Sequence, residues 1–147
     1  MPYSLLLSWP SVTIVHDVPR GWLYVDWRGP QTRATVTRGA AQLQYFLQAT
    51  GCRKLLNDNT NVTSLWHLEN AEWVIREVLP GLGAAGLRHM AWVYAAESGS
   101  WRSAEVALAM AAAGPTVMAF YDVPAAYAWL VAADGGGPGA PGLPLVS

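Results

Sequence analysis

Apolar positions along this chain follow two rhythms. Residues 12–16 (Val-Thr-Ile-Val-His) and 22–27 (Trp-Leu-Tyr-Val-Asp-Trp) are short, rich in β-branched and aromatic side chains, and separated by Pro19-Arg20-Gly21. Runs of this kind joined by a short Pro/Gly connection predict a β-hairpin and so an antiparallel start to a sheet. Beyond Arg28-Gly29-Pro30 the period lengthens. Ala40, Leu43, Phe46, Leu47 and Thr50 recur at helical spacing, with Gly51 as a stop. Residues 54–57 predict the next strand. Leu68, Ala71, Ile75, Val78, Leu79 and Leu82 then form a second helical stripe. Pro80-Gly81 predicts that this helix ends or kinks near Leu79, because an interior proline costs ~3 kcal/mol or more. Residues 88–96 read as a buried strand and 103–113 as an alanine-rich helix ended by Gly114-Pro115. Residues 116–121 read as a last strand, and Asp122-Val123-Pro124 opens a last helix through Leu130.

The order ββαβαβαβα predicts an α/β fold. A single domain over residues 1–133 would hold an N-terminal β-hairpin followed by right-handed βαβ units, in a mixed central sheet covered by helices. Residues 134–147 are rich in Gly and Pro and lack an apolar period, which predicts a flexible tail. No internal repeat is present. The 147 residues suit one domain, which typically spans roughly 100–150. A hydrophobic content of 52% against 13% charged residues argues for a substantial core.

Charge and rare residues narrow the function. The net charge is −1 and only Arg53-Lys54 are adjacent basic residues, so no nucleic-acid partner is expected. A single cysteine, Cys52, excludes an internal disulfide and a cysteine-based metal cluster, and it reads as a small buried apolar residue. His16, His67 and His89 share no short ligand spacing, so neither a metal nor another cofactor is expected. The N-terminal residues lack a positively charged region of the signal-peptide type. The longest apolar stretch, 106–121, is broken by Gly114-Pro115, whereas a membrane span needs about 20 apolar residues. The expectation is a cytoplasmic protein without membrane insertion. Gly81-x-Gly83-x-x-Gly86 has the letters of a dinucleotide fingerprint but follows a helix and precedes a strand, the reverse of the required context.

The most informative stretch is Asp58-Asn59-Thr60-Asn61, where an apolar strand empties into polar residues ahead of a helix. Open α/β sheets gather ligands at the carboxyl ends of their strands, and a helix start offers free N–H groups to an anion. The same residue types also serve as loop and capping groups. Trp66 follows closely, either as core or as the wall of an interface or pocket. Asp58, His67 and Glu69 form the one grouping that could supply a base, yet no Ser or Cys with a nucleophile elbow accompanies them, so no catalytic residue is assigned.

Leu55-Leu56-x-Asp58, the run from Trp73 to Leu79-Pro80-x-Leu82, Ala85-Gly86-Leu87-Arg88, Ala91, Phe120-Tyr121-Asp122 and Ala128-Trp129-Leu130 together resemble the small bacterial STAS/SpoIIAA-like proteins. Trp27-x-Gly29 fits the same family's early strand end, and the resemblance spans about residues 12–131. It implies a STAS-like α/β domain and, since many members have no assigned activity, identifies a fold better than a function. Anti-sigma-factor antagonists of the wider group carry an Asp-Ser-Ser/Ala-Gly loop whose serine is phosphorylated by a partner kinase. The matching stretch here puts Thr60 at the hydroxyl position and lacks the glycine. The combined expectation is a non-catalytic cytoplasmic binding or regulatory module. It would recognise a partner protein or small ligand around Asp58, Asn59, Thr60, Asn61 and Trp66, with Thr60 as the phosphorylation position. The alternative is a small-molecule or lipid carrier with an apolar cavity. A homodimer is a further expectation from the aromatic content, and the small face Ala104, Ala107, Leu108 and Ala111 would pack closely on its own sheet or on a second copy.

Overall fold

The computed structural model describes residues 3–63, 72–94 and 114–133. Their elements are β1 (Tyr3–Ser8), β2 (Val12–Asp17), β3 (Trp22–Gly29), α1 (Arg33–Thr50), β4 (Lys54–Val62), a π-helical turn (Val74–Val78), α2 (Leu79–Ala84), β5 (His89–Val93), β6 (Thr116–Phe120) and α3 (Val123–Ala132). The strands form one mixed sheet in the order β1-β2-β3-β4-β5-β6. β1 to β3 pair antiparallel, and β3 to β6 pair parallel. The expected helix over 103–113 and the expected tail over 134–147 lie outside the described residues, as do Trp66 and His67.

Period-two alternation divides β3 between two cores. Leu23, Val25 and Trp27 face α1 and α2, where they meet Val36, Ala40, Leu43, Leu47, Leu79 and Leu82. Trp22 and Tyr24 face the other side, where Leu56, Ala91 and Val93 pack beneath Ala126 and Leu130 of α3. Local chemistry sets the helix ends. Thr32 and Thr35 exchange side chain-to-backbone hydrogen bonds at the start of α1, and Gly51 closes it in the left-handed conformation, with its N–H on the Leu47 carbonyl. Asp122 caps α3 by accepting from the Ala125 N–H at 2.8 Å. At the far end of α3, Lys54 Nζ donates to the Leu130 carbonyl at 2.6 Å, a cation on the negative end of the helix dipole.

One expectation about the elements needs correction, and another takes an unexpected form. A sixth strand, β1, precedes the hairpin. Its Leu5-Leu6-Leu7 run does not alternate, because Leu6 is the extra residue of a bulge between Leu5 and Leu7, so both Leu6 and Leu7 pack on the core. The end or kink expected near Leu79 takes the form of a change of helix type, π-helical through Val78 and α-helical from Leu79, so the chain stays helical through Pro80. The π turn just ahead of the proline closes with the Leu79 N–H on the Val74 carbonyl, five residues back. That wider turn accommodates the proline ring where a regular α-helix would clash. No helix among the described residues is long and apolar enough to cross a membrane.

Glycine at 39 reports how closely α1 approaches the sheet. A methyl group there would run into the six-membered ring of Trp27, with Cζ3 only 2.8 Å away. Trp27 cannot yield easily, since it is buried and its Nε1–H donates to Asn57 Oδ1 at 2.8 Å. Alanine in place of a helical glycine ordinarily stabilises by ~1 kcal/mol. Here Gly39→Ala is expected to destabilise instead, by about 1–3 kcal/mol, through overpacking. Urea denaturation of the two proteins measures the sign directly.

Candidate functional site

The polar run expected to form a loop is strand. β4 continues to Val62, which is buried in the α1-side core; Asp58 pairs with Val93, the last residue of β5, so residues 59–62 extend the sheet beyond it. The reason lies in a bulge. Asp26 pairs with Asp58 and Arg28 with Asn61, so Asn59 and Thr60 together oppose Trp27. The extra residue restores alternation beyond it and returns Val62 to the core.

Within this frame the predicted residues take different roles. Asp58 is 3% exposed rather than presented to solvent. Its Oδ2 accepts from the Tyr24 hydroxyl at 2.5 Å, and its Oδ1 accepts from the Thr60 N–H at 3.0 Å. A buried carboxylate is tolerable when donors occupy its oxygens, and these two do so across the β3–β4 pair and across the bulge. Asn57, one residue earlier, turns to the other face to receive Trp27 Nε1–H. Asn59 is half-buried, and its Nδ2 has no hydrogen-bond partner among the described residues. Thr60 is half-buried, and Asn61 is exposed. Of the five expected binding residues, four therefore lie together on one strand end, and Trp66 lies outside the described residues.

Sequence reasoning missed the partners on the neighbouring strands. Asp26 Oδ1 accepts from Asn61 Nδ2 at 3.1 Å, and its Oδ2 accepts from Arg28 Nη1 at 3.0 Å. Arg28 Nη1 also reaches Thr13 Oγ1 at 2.6 Å, and Nη2 reaches the Trp9 carbonyl at 2.8 Å. Gln31 Nε2 adds bonds to the carbonyls of Ser11 and Arg28. A polar brace thus runs from the β1–β2 turn across β2 and β3 to the bulge. One signal for it was available: Tyr24, Asp26 and Arg28 alternate at period two, so they share a face of β3.

Electrostatics follow from this packing. Burial pushes the Tyr24 hydroxyl above the usual tyrosine range; its hydrogen bond to Asp58 and the negative charges of Asp58 and Asp26 push it further, against a smaller opposing effect of Arg28. Burial also raises the Cys52 thiol, opposed by its hydrogen bond with Thr50. Among the histidines, His89 packs edge-on against Trp129 with ring centroids 5.9 Å apart, and His16 is half-buried in β2. No group of three or more His, Cys, Asp or Glu able to hold a metal ion occurs among the described residues.

A second concavity lies on the α2 side. Ile75, Leu79, Pro80, Leu87 and Pro115 are among the residues that line a cleft of about 600 Å³. Arg88 stands at its polar rim.

No family model, curated protein or solved structure matches the chain.

The raised Tyr24 hydroxyl makes stability pH-dependent in a defined direction. Above the ordinary tyrosine value of about 10, the unfolded chain releases the phenolic proton while the folded protein keeps it. Stability linked to Tyr24 is therefore complete below that value and falls as the pH rises through the alkaline range. Tyr24→Phe should flatten this alkaline loss while lowering stability at neutral pH. Thermal unfolding of both proteins between neutral pH and about pH 11 would reveal it.

Proposed function

We propose that the chain is a STAS-like, non-catalytic binding or regulatory module of the cytoplasm, with its recognition surface at the β4 bulge. The observation that carries this reading is the state of Asp58. Both of its oxygens are taken from inside the protein, which suits a post that shapes a surface and leaves little for proton transfer to a bound molecule. Beyond that post the Asn61 amide stands exposed, backed by Asp26 and Arg28. This is a polar, pre-organised patch at the carboxyl end of a parallel strand, the place where α/β sheets present their ligands. Thr60 fits the regulatory part of the reading. Its N–H is bonded to Asp58, so a phosphate added at Thr60 would bring like charge to that carboxylate and loosen the bulge.

The cleft lined by Leu79, Pro80, Leu87 and Pro115 favours a second reading, a carrier of a small apolar molecule. Its volume of about 600 Å³ lies in the size range of ligand pockets.

One set of proteins separates the two. Asn61→Ala and Asn61→Arg should reduce partner capture from the native organism's lysate by tenfold or more, with thermal unfolding nearly unchanged. Ala84→Phe, which fills the cleft from an exposed wall position, should leave capture intact. Unchanged capture by both Asn61 variants contradicts the bulge reading. A co-purified apolar adduct in native mass spectrometry that Ala84→Phe removes supports the carrier instead.

A further inference from the structure

We infer that β1 is a self-association edge through which two copies of this chain join their sheets. Strand order leaves β1 outermost, with β2 as its partner on one side. Alternate backbone N–H and C=O groups of Tyr3–Ser8 therefore point away from the sheet, and no described residue pairs with them. β6 is the other outermost strand and lies beneath α3.

Proteins usually blunt such an edge with a lysine, an inward-pointing charge or a proline within the strand. β1 carries none of these: its sequence is Tyr-Ser-Leu-Leu-Leu-Ser, and prolines stand only outside it, at positions 2 and 10. Of the devices that blunt an edge it has one, the bulge at Leu6. Of its exposed side chains, Ser4 and Ser8 are small and uncharged, and the two large ones are apolar, Tyr3 55% exposed and Leu5 64%. Both sit on the side of the sheet opposite α1 and α2, and α3 lies over β4 to β6, so no described helix shields them.

These features fit a second copy better than an unrelated strand. A two-fold axis normal to the sheet sets β1 antiparallel to its own mate, which satisfies the open backbone groups of both copies reciprocally. With no charge on the strand, like charges do not oppose each other across that axis. In a ladder centred on the strand, the same operation brings the Leu5-Leu6-Leu7 runs of the two copies together near the axis, adding apolar contact to the ladder. A six-residue ladder with these side chains is a small interface, so a reversible dimer with micromolar affinity is expected.

Sedimentation equilibrium of the full chain across the micromolar range, paired with amide hydrogen exchange, tests this. The expected result is a monomer–dimer equilibrium with concentration-dependent protection confined to residues 3–8. Leu5→Lys places a charge on the exposed side of the edge, and should raise the dissociation constant by roughly tenfold or more, equivalent to about 1.4 kcal/mol, and abolish that protection. Unchanged low-concentration circular dichroism would show that the variant still folds. A wild-type chain that stays monomeric throughout overturns the inference. So does a dimer that survives Leu5→Lys with β1 amides unprotected, which would place the contact elsewhere. Protection of β1 that appears only when another protein is added would also overturn it, in favour of a foreign strand.

Discussion

The hydrogen bond from the Tyr24 hydroxyl to Asp58 is the interaction on which the site geometry rests. It joins two residues 34 apart in sequence across the parallel β3–β4 pair, at the point where β4 gains its extra residue. Without the tyrosine, a buried carboxylate would lose one of its two donors, at a cost of about 1–3 kcal/mol or more for a charged group. With it, Asp58 can hold the Thr60 amide, the bulge keeps its shape, and Asn61 is aimed at Asp26. From Asp26 the network continues through Arg28 to the turn between β1 and β2. The first three strands and the overhanging end of β4 are thereby tied into one rigid unit.

The opposite face of the same strand pair carries a matching constraint. Trp27 donates to Asn57 in the buried layer beneath α1, and this bond fixes the indole ring against which the helix packs at Gly39. Three side chain–side chain bonds, Trp27–Asn57 on one face and Tyr24–Asp58 and Asn61–Asp26 on the other, therefore pin β3 to β4 where the sheet changes from antiparallel to parallel pairing. Polar groups inside a sheet are costly unless paired, and paired they specify register, because a one-residue slip would strand both donors and acceptors. The central strands thus gain a unique alignment from residues that a purely apolar core would not supply.

Much of the fold was legible in the sequence, for local reasons. Short runs of β-branched, aromatic and other apolar residues marked β2, β3, β5 and β6; helical spacing stopped by Gly51 marked α1; and Asp122 ahead of Pro124 marked α3. The failures share a cause in long-range pairing. Asp58 to Asn61 look like the end of a strand because the polar groups of Asp58 and Asn61, like that of Asn57 before them, are satisfied sideways by Tyr24, Asp26 and Trp27, at least 30 positions away. β1 escaped notice because its bulge breaks alternation, and Pro80 marked the break near Leu79 but not the π turn that forms it. The candidate site was located by its residue types, but its inward-facing acid and its partners on β3 depended on a register that only the folded sheet reveals.

A double-mutant cycle on stability between Tyr24 and Asp58 tests the central claim most directly. Urea unfolding of the wild type, Tyr24→Phe, Asp58→Ala and the double variant should give a coupling energy of at least about 1 kcal/mol, with the double variant little worse than Asp58→Ala alone. Additive losses, agreeing within about 0.3–0.5 kcal/mol, would mean that the two residues act independently and that the bulge is held by something else.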